Sequence, residues 1–363
     1  MTLPNQRLIW GAIASCEAIG AGTIRRFQKH KLDAETVWHA SPRRLREIQM
    51  GEAGIRTFCR FREHFNFIEF EKRLEQNGIR IVLRTDKDYP ISLTTIHDPP
   101  EVLFVRGVLP KTNTCVAVIG TRKPSEYGVQ SLKRLIAPVI SAGIPIISGM
   151  ALGTDALAHE LALEMNAYTC AVLGSGVDET SLYPPRNRPL GRRIIEQGGG
   201  LISEFPPGTK PRREYFPVRN RIIAGLVKAV VVIEAALESG TLITAGIANE
   251  NGREVLAVPG SIWSDLSAGT HKLIQTGSRL CQDAQDIFDS LAFDRVETCA
   301  KTQESLPLTP DERSLFEELR VPQTADELVR AMDWSIGRIQ QALSLLELKQ
   351  LVVRLESQLW GRV

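Results

Sequence analysis

The stretch FPVRNRIIAGLVKAVVVIEAALESGTLITAGIANE, from Phe216 to Glu250, decides the fold. Arg219, Asn220 and Arg221 stand at the start of an apolar helical segment. The β-branched run from Ala229 to Ile233 reads as a buried strand. Ser239-Gly240-Thr241 then opens a second helix. Helix, strand and helix, with small polar residues where the strand ends, is the layout of an anion-binding crest. The stretch carries no evident catalytic group, which favours binding over turnover.

The same rhythm extends on both sides. CVAVIG from Cys115 is a buried strand, followed by TRKPSEYG and a helical segment ending near Ala142. IPIISG from Ile144 is the next strand, and MALGTDALAHELALEM from Met150 reads as a helix. YTCAVLG from Tyr168 leads into the loop SGVDETSLYPPRN, and Leu201 to Glu204 make a short fourth strand. AVVVIEA from Ala229 and REVLAVPG from Arg253 are two more. Short apolar strands alternating with helices predict an α/β fold with a parallel, doubly wound sheet.

Such sheets bind ligands beyond the carboxyl ends of their strands. Nearly every such end here is small or polar: Gly120-Thr121-Arg122-Lys123, Ser148-Gly149, Gly174-Ser175-Gly176, Ser239-Gly240-Thr241 and Pro259-Gly260-Ser261. Helix N-termini along that edge offer free amides to anions. The segment GTKPRREYFPVRNRI adds Lys210, Arg212, Arg213, Arg219 and Arg221 against Glu214 alone, with Tyr215 and Phe216 between them. Cations beside stacking rings suit single-stranded nucleic acid. Arg122, Lys210 and Arg213 are expected to contact phosphate. Arg219 and Arg221 either do the same or pair with carboxylates such as Glu204 and Glu234 inside the fold. Phe216 either stacks a base or packs in the core. Asp155 and His159 share a helix face and are expected to be a structural pair rather than a catalytic dyad. Asp178 is expected to cap a turn.

Other chemistries find little support. There is no G-x-x-x-x-G-K-S/T, no third glycine at fingerprint spacing after Gly174-Ser175-Gly176, and no GxSxG elbow. No cofactor is expected. The formal net charge of +2 over 363 residues gives no global basic field, so any nucleic-acid binding is local. No apolar run reaches the roughly 20 residues of a membrane span, and the N-terminus lacks a signal-peptide pattern. The six cysteines are scattered, without metal-ligand spacing, as in a reduced cytoplasmic protein.

Residues 1–78 read as a helical domain, in which Gly20-Ala21-Gly22 makes a turn between two helices. Residues 79–293 open with a strand, a proline-marked loop and another strand before the α/β pattern begins. Residues 294–308 are polar and aperiodic, a linker. Residues 309–363 give three helices and two short strands, a winged-helix pattern. Thr324 followed by Glu327 is a capping-box signature.

Taken together, VAVIGTRKPSEYG, SGMALGTDALAHELAL, AVLGSGVDETSLYPPRN, SEFPPGTKPRREYFPVRNRIIAGL, VVVIEAALESGTLITAGIA and GREVLAVPGSI resemble the DNA-processing protein A family, also called DprA or Smf. The resemblance covers nearly the whole chain. It implies an N-terminal helical domain of SAM or helix-hairpin-helix type, an extended Rossmann-like domain and a C-terminal winged helix. It implies a non-enzymatic single-stranded DNA-binding protein that protects incoming DNA, loads the RecA recombinase and acts in natural transformation. A homodimer through the Rossmann-like domain is also implied. The family's DNA pocket places Arg122, Arg213 and Phe216 on the nucleic acid. Two positions depart from the pattern: Leu152 stands where the family has arginine, and Thr154 where it has isoleucine.

The alternative is a nucleotide hydrolase of the lysine-decarboxylase-like, phosphoribohydrolase group. Its PGGxGTxxE motif has a partial echo in Glu238-Ser239-Gly240-Thr241-Leu242-Ile243-Thr244. Thr244 stands where the glutamate would act, and a hydroxyl is no general base at neutral pH. The third helix of the tail carries only Arg338 and Lys349 as cations, too few to expect duplex reading.

Overall fold

A computed structural model describes residues 5–291, 308–319, 323–349, 351–354 and 359–362. The chain divides into two compact units, Met1–Asp294 and Arg295–Val363. Except for Leu308, the expected linker lies outside the described residues.

The first unit opens with six helices: α1 (Gln6–Ala14), α2 (Ala21–Lys29), α3 (Ala34–His39), α4 (Pro42–Glu47), α5 (Glu52–His64) and α6 (Phe67–Gln76). Asn5, Asp33, Ser41 and Asn66 cap four of them through side-chain oxygens. Gly20 starts α2 without a side-chain cap. Ile13, Phe27, Leu45 and Phe58 fill the centre of this layer. The same cluster includes Ile79, Ile81 and Phe104, so the helices share one core with the strands that follow.

Those strands are β1 (Ile79–Leu83) and β2 (Val102–Gly107). After them come β3 (Val116–Ile119), α7 (Glu126–Ser141), β4 (Ile146–Ser148), α8 (Thr154–Glu164) and β5 (Thr169–Val172). Next are α9 (Arg188–Glu196), β6 (Gly200–Ser203), α10 (Tyr215–Leu226), β7 (Ala229–Val232) and α11 (Gly240–Glu250). The unit ends with β8 (Glu254–Ala257), α12 (Asp265–Gln275), β9 (Arg279–Leu280) and α13 (Ala284–Ser290).

Nine described strands form one sheet in the order β1-β2-β6-β5-β4-β3-β7-β8-β9. From β6 to β9 the pairing is parallel, and β2 joins β6 antiparallel. β1 and β2 therefore extend the sheet. β3 is buried on both faces, which is why its sequence is an unbroken apolar run. Val116 and Val118 pack with Leu132, Ile136 and Val139 of α7 on one face. Ala117 and Ile119 pack with Ile222 and Ile223 of α10 and Ala245 of α11 on the other.

Two boundaries differ from the sequence reading. The helix expected from Met150 begins at Thr154, because Met150 and Gly153 take positive φ values of 56° and 78° and turn the chain first. β9 has two residues, both exposed, and so no apolar alternation to reveal it.

The second unit comprises α14 (Pro310–Glu318), β10 (Gln323–Thr324), α15 (Ala325–Met332), α16 (Ile336–Leu348), β11 (Val352–Arg354) and β12 (Leu359–Arg362). Its sheet runs β10-β12-β11. Thr324 and Glu327 close the expected capping box, and Thr309 with Glu312 close another. Leu315, Leu328, Ile339 and Leu346 make its core.

Candidate nucleic-acid interface

The chain lays down β3, β4, β5 and β6 outward in one direction, then returns to place β7 on the other side of β3. The carboxyl ends of β3 and β7 therefore part at a topological switch point, where open α/β sheets hold their ligands. A cleft of about 510 Å³ opens there. Gly120, Thr121 and Arg122 enter it from β3, and Ser239, Gly240 and Thr241 from the start of α11. Phe216, Arg219 and Asn220 of α10 and Gly149 beyond β4 are the other expected residues that line it.

The N-terminus of α11 is set locally. Ser239 Oγ accepts from Thr241 N–H at 3.2 Å, and Thr241 Oγ1 donates to the Gly120 carbonyl at 3.1 Å. These bonds tie the helix start to the end of β3 and keep its positive dipole end at the cleft. The N-terminus of α7 is occupied by the protein itself. Glu234 accepts from Ser125 N–H at 2.9 Å and from Ser125 Oγ at 2.5 Å. Glu234 is thus the anion on α7 rather than an arginine partner.

Arg219 is 6% exposed at the side of the cleft. Its Nη1 donates to the Val172 carbonyl, and its Nε has no partner among the described residues. Burial pulls its pKa down to about 10, against the pull of nearby Asp155, and Arg122 adds to the lowering. The group stays cationic at neutral pH. Burial raises the Asp155 carboxyl, while Arg219 and the loop amides oppose that shift. Asp155 accepts from Gly149 N–H at 3.0 Å and from Ala151 N–H at 3.4 Å.

His159, one turn on, goes elsewhere. Its Nδ1 lies 2.6 Å from Thr169 Oγ1, which donates its one proton to the Ile146 carbonyl at 2.8 Å. Nδ1 must therefore carry the proton, leaving Nε2 as a buried lone pair without a partner. Burial, then the charge of Arg219, push its pKa down to about 3. The expected Asp155–His159 pair is corrected: each side chain has its own partners, one in the loop before α8 and one in the sheet.

Five expected residues stay out of the cleft lining. Ser148 is fully buried and donates to the Val118 carbonyl at 2.7 Å, so the sheet backbone consumes its hydroxyl. Arg221 meets Glu204 at 2.5 Å and Asp98 at 3.4 Å, and lines a separate cavity. Ser148 is corrected from ligand contact to scaffold, and of the two roles open to Arg221 the structure shows the carboxylate pair. Lys123, Lys210 and Arg213 are exposed and have no ion pair among the described residues. Tyr215 stacks on Phe205 at 4.1 Å, so it belongs to the scaffold, whereas Phe216 faces the cleft. Asp178 caps its turn, accepting from Thr180, Ser181 and the Gly208 amide.

Sequence reading missed the apolar rim. Tyr183, 41% exposed, sits 5.9 Å from the Phe216 ring. Leu152 and Ile243 join it at the cleft. An aromatic in the loop SGVDETSLYPPRN was the available signal for Tyr183. Cations, a helix N-terminus and two aromatic rings in one open cleft are fitted to a phosphate-bearing, base-bearing chain.

Comparison with known proteins agrees with the fold. Residues 80–292 match the family model of DNA recombination-mediator protein A, and residues 300–358 match that of the DprA winged helix domain. Protein Smf of Synechocystis sp. is 34% identical over 309 residues, which span 84% of this chain and 77% of that protein. The X-ray structure of DprA from Streptococcus pneumoniae aligns with a TM-score of 0.66 at 31% identity, covering 79% of this chain and 98% of that one. The DprA structure from Helicobacter pylori, described for its single-stranded DNA binding mode, aligns at a TM-score of 0.53 and 28% identity over 60% of this chain and 96% of that one. With the Rossmann-like sheet, the winged helix and the matched family models in hand, the chain belongs to the DNA recombination-mediator protein A family, DprA/Smf.

Proposed function

We propose that this chain is a single-stranded DNA-binding protein with no catalytic activity, which protects incoming DNA and loads RecA onto it during natural transformation. The carrying observation is the cleft at the switch point, lined by Arg122, Arg219, the start of α11, the half-buried ring of Phe216 and the exposed ring of Tyr183. Arg122 is exposed and has no carboxylate partner among the described residues, so its guanidinium is available to phosphate. Lys123, Lys210 and Arg213 extend the positive surface outside the cleft. The single-stranded DNA binding of the Helicobacter pylori relative supports the same reading.

The proposed organisation has three parts: 1–78 helical, 79–293 Rossmann-like and 309–363 winged helix. The protein acts in the cytoplasm as a homodimer through the Rossmann-like part. The hydrolase alternative needs a carboxylate where buried Thr244 stands.

The test is RecA filament assembly on single-stranded DNA precoated with single-strand-binding protein. The full chain is expected to speed assembly, and Arg122→Ala to slow it. No tighter binding to single strands than to duplex, together with no effect on assembly, overturns the reading.

A further inference from the structure

Beyond the cleft, the most exposed large apolar side chain among the described residues is Trp263, at 91%, beside Ile262 at 80%. It lies in the loop that leaves β8, and that loop is pinned. Trp263 N–H donates to Ser261 Oγ at 3.2 Å, and Tyr127 Oη donates to the Pro259 carbonyl at 2.5 Å. His271 Nε2 sits 3.1 Å from the Gly260 carbonyl. The backbone that carries the indole is thus fixed in the turn. Because the turn is already fixed, its backbone needs no further ordering when a flat ring covers the indole.

The position matters as much as the exposure. β3, β7 and β8 are neighbours in register, Ile119 beside Val232 beside Ala257. Their carboxyl ends line one edge, and two strand spacings put the end of β8 about 10 Å from that of β3. The loop from β3 to α7 bridges the gap. Its Arg122 lines the main cleft, while Ser125 and Tyr127 line a second cavity of about 530 Å³ with Gly260 and Ser261. Exposed Lys123 lies between them in sequence.

We propose that the loop carrying Trp263 is a second subsite for single-stranded DNA, where a base leaving the main cleft stacks on the indole. The inference rests on the cleft being a DNA site. Exposed Asp265 directly follows the turn and Glu234 lines the cavity beside it, so it suits an uncharged base ring and not the phosphate chain. Its contribution therefore adds affinity without adding salt dependence.

The experiment compares an oligothymidylate of about 4 nucleotides with one of about 16, the range of strand lengths such grooves hold. Trp263→Ala is expected to weaken the longer strand by about 5- to 150-fold, the equivalent of one lost base stack, with the salt slope unchanged. The short strand keeps its affinity for the variant. Trp263→Phe keeps the affinity for both and removes the tryptophan quenching that the long strand causes. An unchanged long-strand affinity for Trp263→Ala overturns the subsite. If Trp263→Ala instead converts a dimer to a monomer in sedimentation with binding unaltered, the ring belongs to a second copy, and the inference is also overturned. Arg122→Ala is the separate arm: it must weaken both strands, and its failure to do so removes the main cleft rather than the Trp263 subsite.

Discussion

The guanidinium of Arg219 lies against the Cα of Gly149, in the space that a Cβ would fill. Glycine at the end of β4 is thus the condition for a buried cation at the cleft. Gly149→Ala must shift the guanidinium or the strand end, at an overpacking cost of about 1–3 kcal/mol. The expected result is a lower urea midpoint together with weaker single-stranded DNA binding. A variant with the wild-type midpoint would show that the two groups are not in contact.

Arg122 and Arg221 should separate function from stability. Arg122 is exposed and unpaired among the described residues, so Arg122→Ala should leave stability alone and weaken DNA binding. The log–log salt slope should shrink by about 0.7, one phosphate contact on a single strand. Arg221 neutralises Glu204, which burial already drives toward its protonated form. Removing Arg221 leaves that carboxylate uncompensated and should cost about 3–5 kcal/mol. Thermal melts and salt titrations on both variants test the contrast, and equal effects on both readouts would contradict it.

His159 gives the fold an acid sensitivity with a defined sign. Its folded pKa of about 3 lies below the usual value of 6.5, so the unfolded chain binds the extra proton between those limits. Stability contributed by the neutral ring is therefore present above pH 6.5 and lost as pH falls toward 3. Full titration of one group costs about 1.4 kcal/mol per pH unit. His159→Gln lacks this proton and should flatten the stability profile between pH 5 and 6.5 relative to the wild type. Chemical denaturation across that range measures the difference, and parallel profiles would refute the assignment.

The middle of the sheet was legible because β3 to β7 are buried on both faces and so appear as short apolar runs followed by small or polar residues. The switch point was half legible: the Gly120 and Ser239 turns announce themselves, but strand order does not. Arg219 and Arg221 show why side-chain roles stayed open. They stand two residues apart on one helix in a single basic motif. Yet Arg221 pairs with Glu204 and Asp98, while Arg219 reaches the cleft. Only packing decides which direction each takes. Tyr183 escaped notice, and Leu152 stood out only as a departure from the family pattern, because an apolar rim has no spacing and forms from loops that meet only in the folded chain.

The winged helix supplies a last prediction. Its third helix, α16, carries Arg338 in its first turn, and Lys349 directly follows it as its C-cap. Arg338 forms a two-pronged contact with Asp311 at 2.7 and 2.8 Å and lies over Trp334. Lys349 reaches both oxygens of Glu312 at 2.7 Å, and Glu312 is 1% exposed. Both cations, Arg338 and Lys349, are thus held by acids of α14. Arg338→Ala should leave affinity for duplex and single strands unchanged. Lys349→Ala should also leave binding intact but strip the charge partner from buried Glu312. The unit should then melt earlier, since each kcal/mol lost moves a domain of this size by roughly 4–8 °C. Weakened duplex binding by Arg338→Ala, with the melting temperature unchanged, would instead assign α16 to DNA.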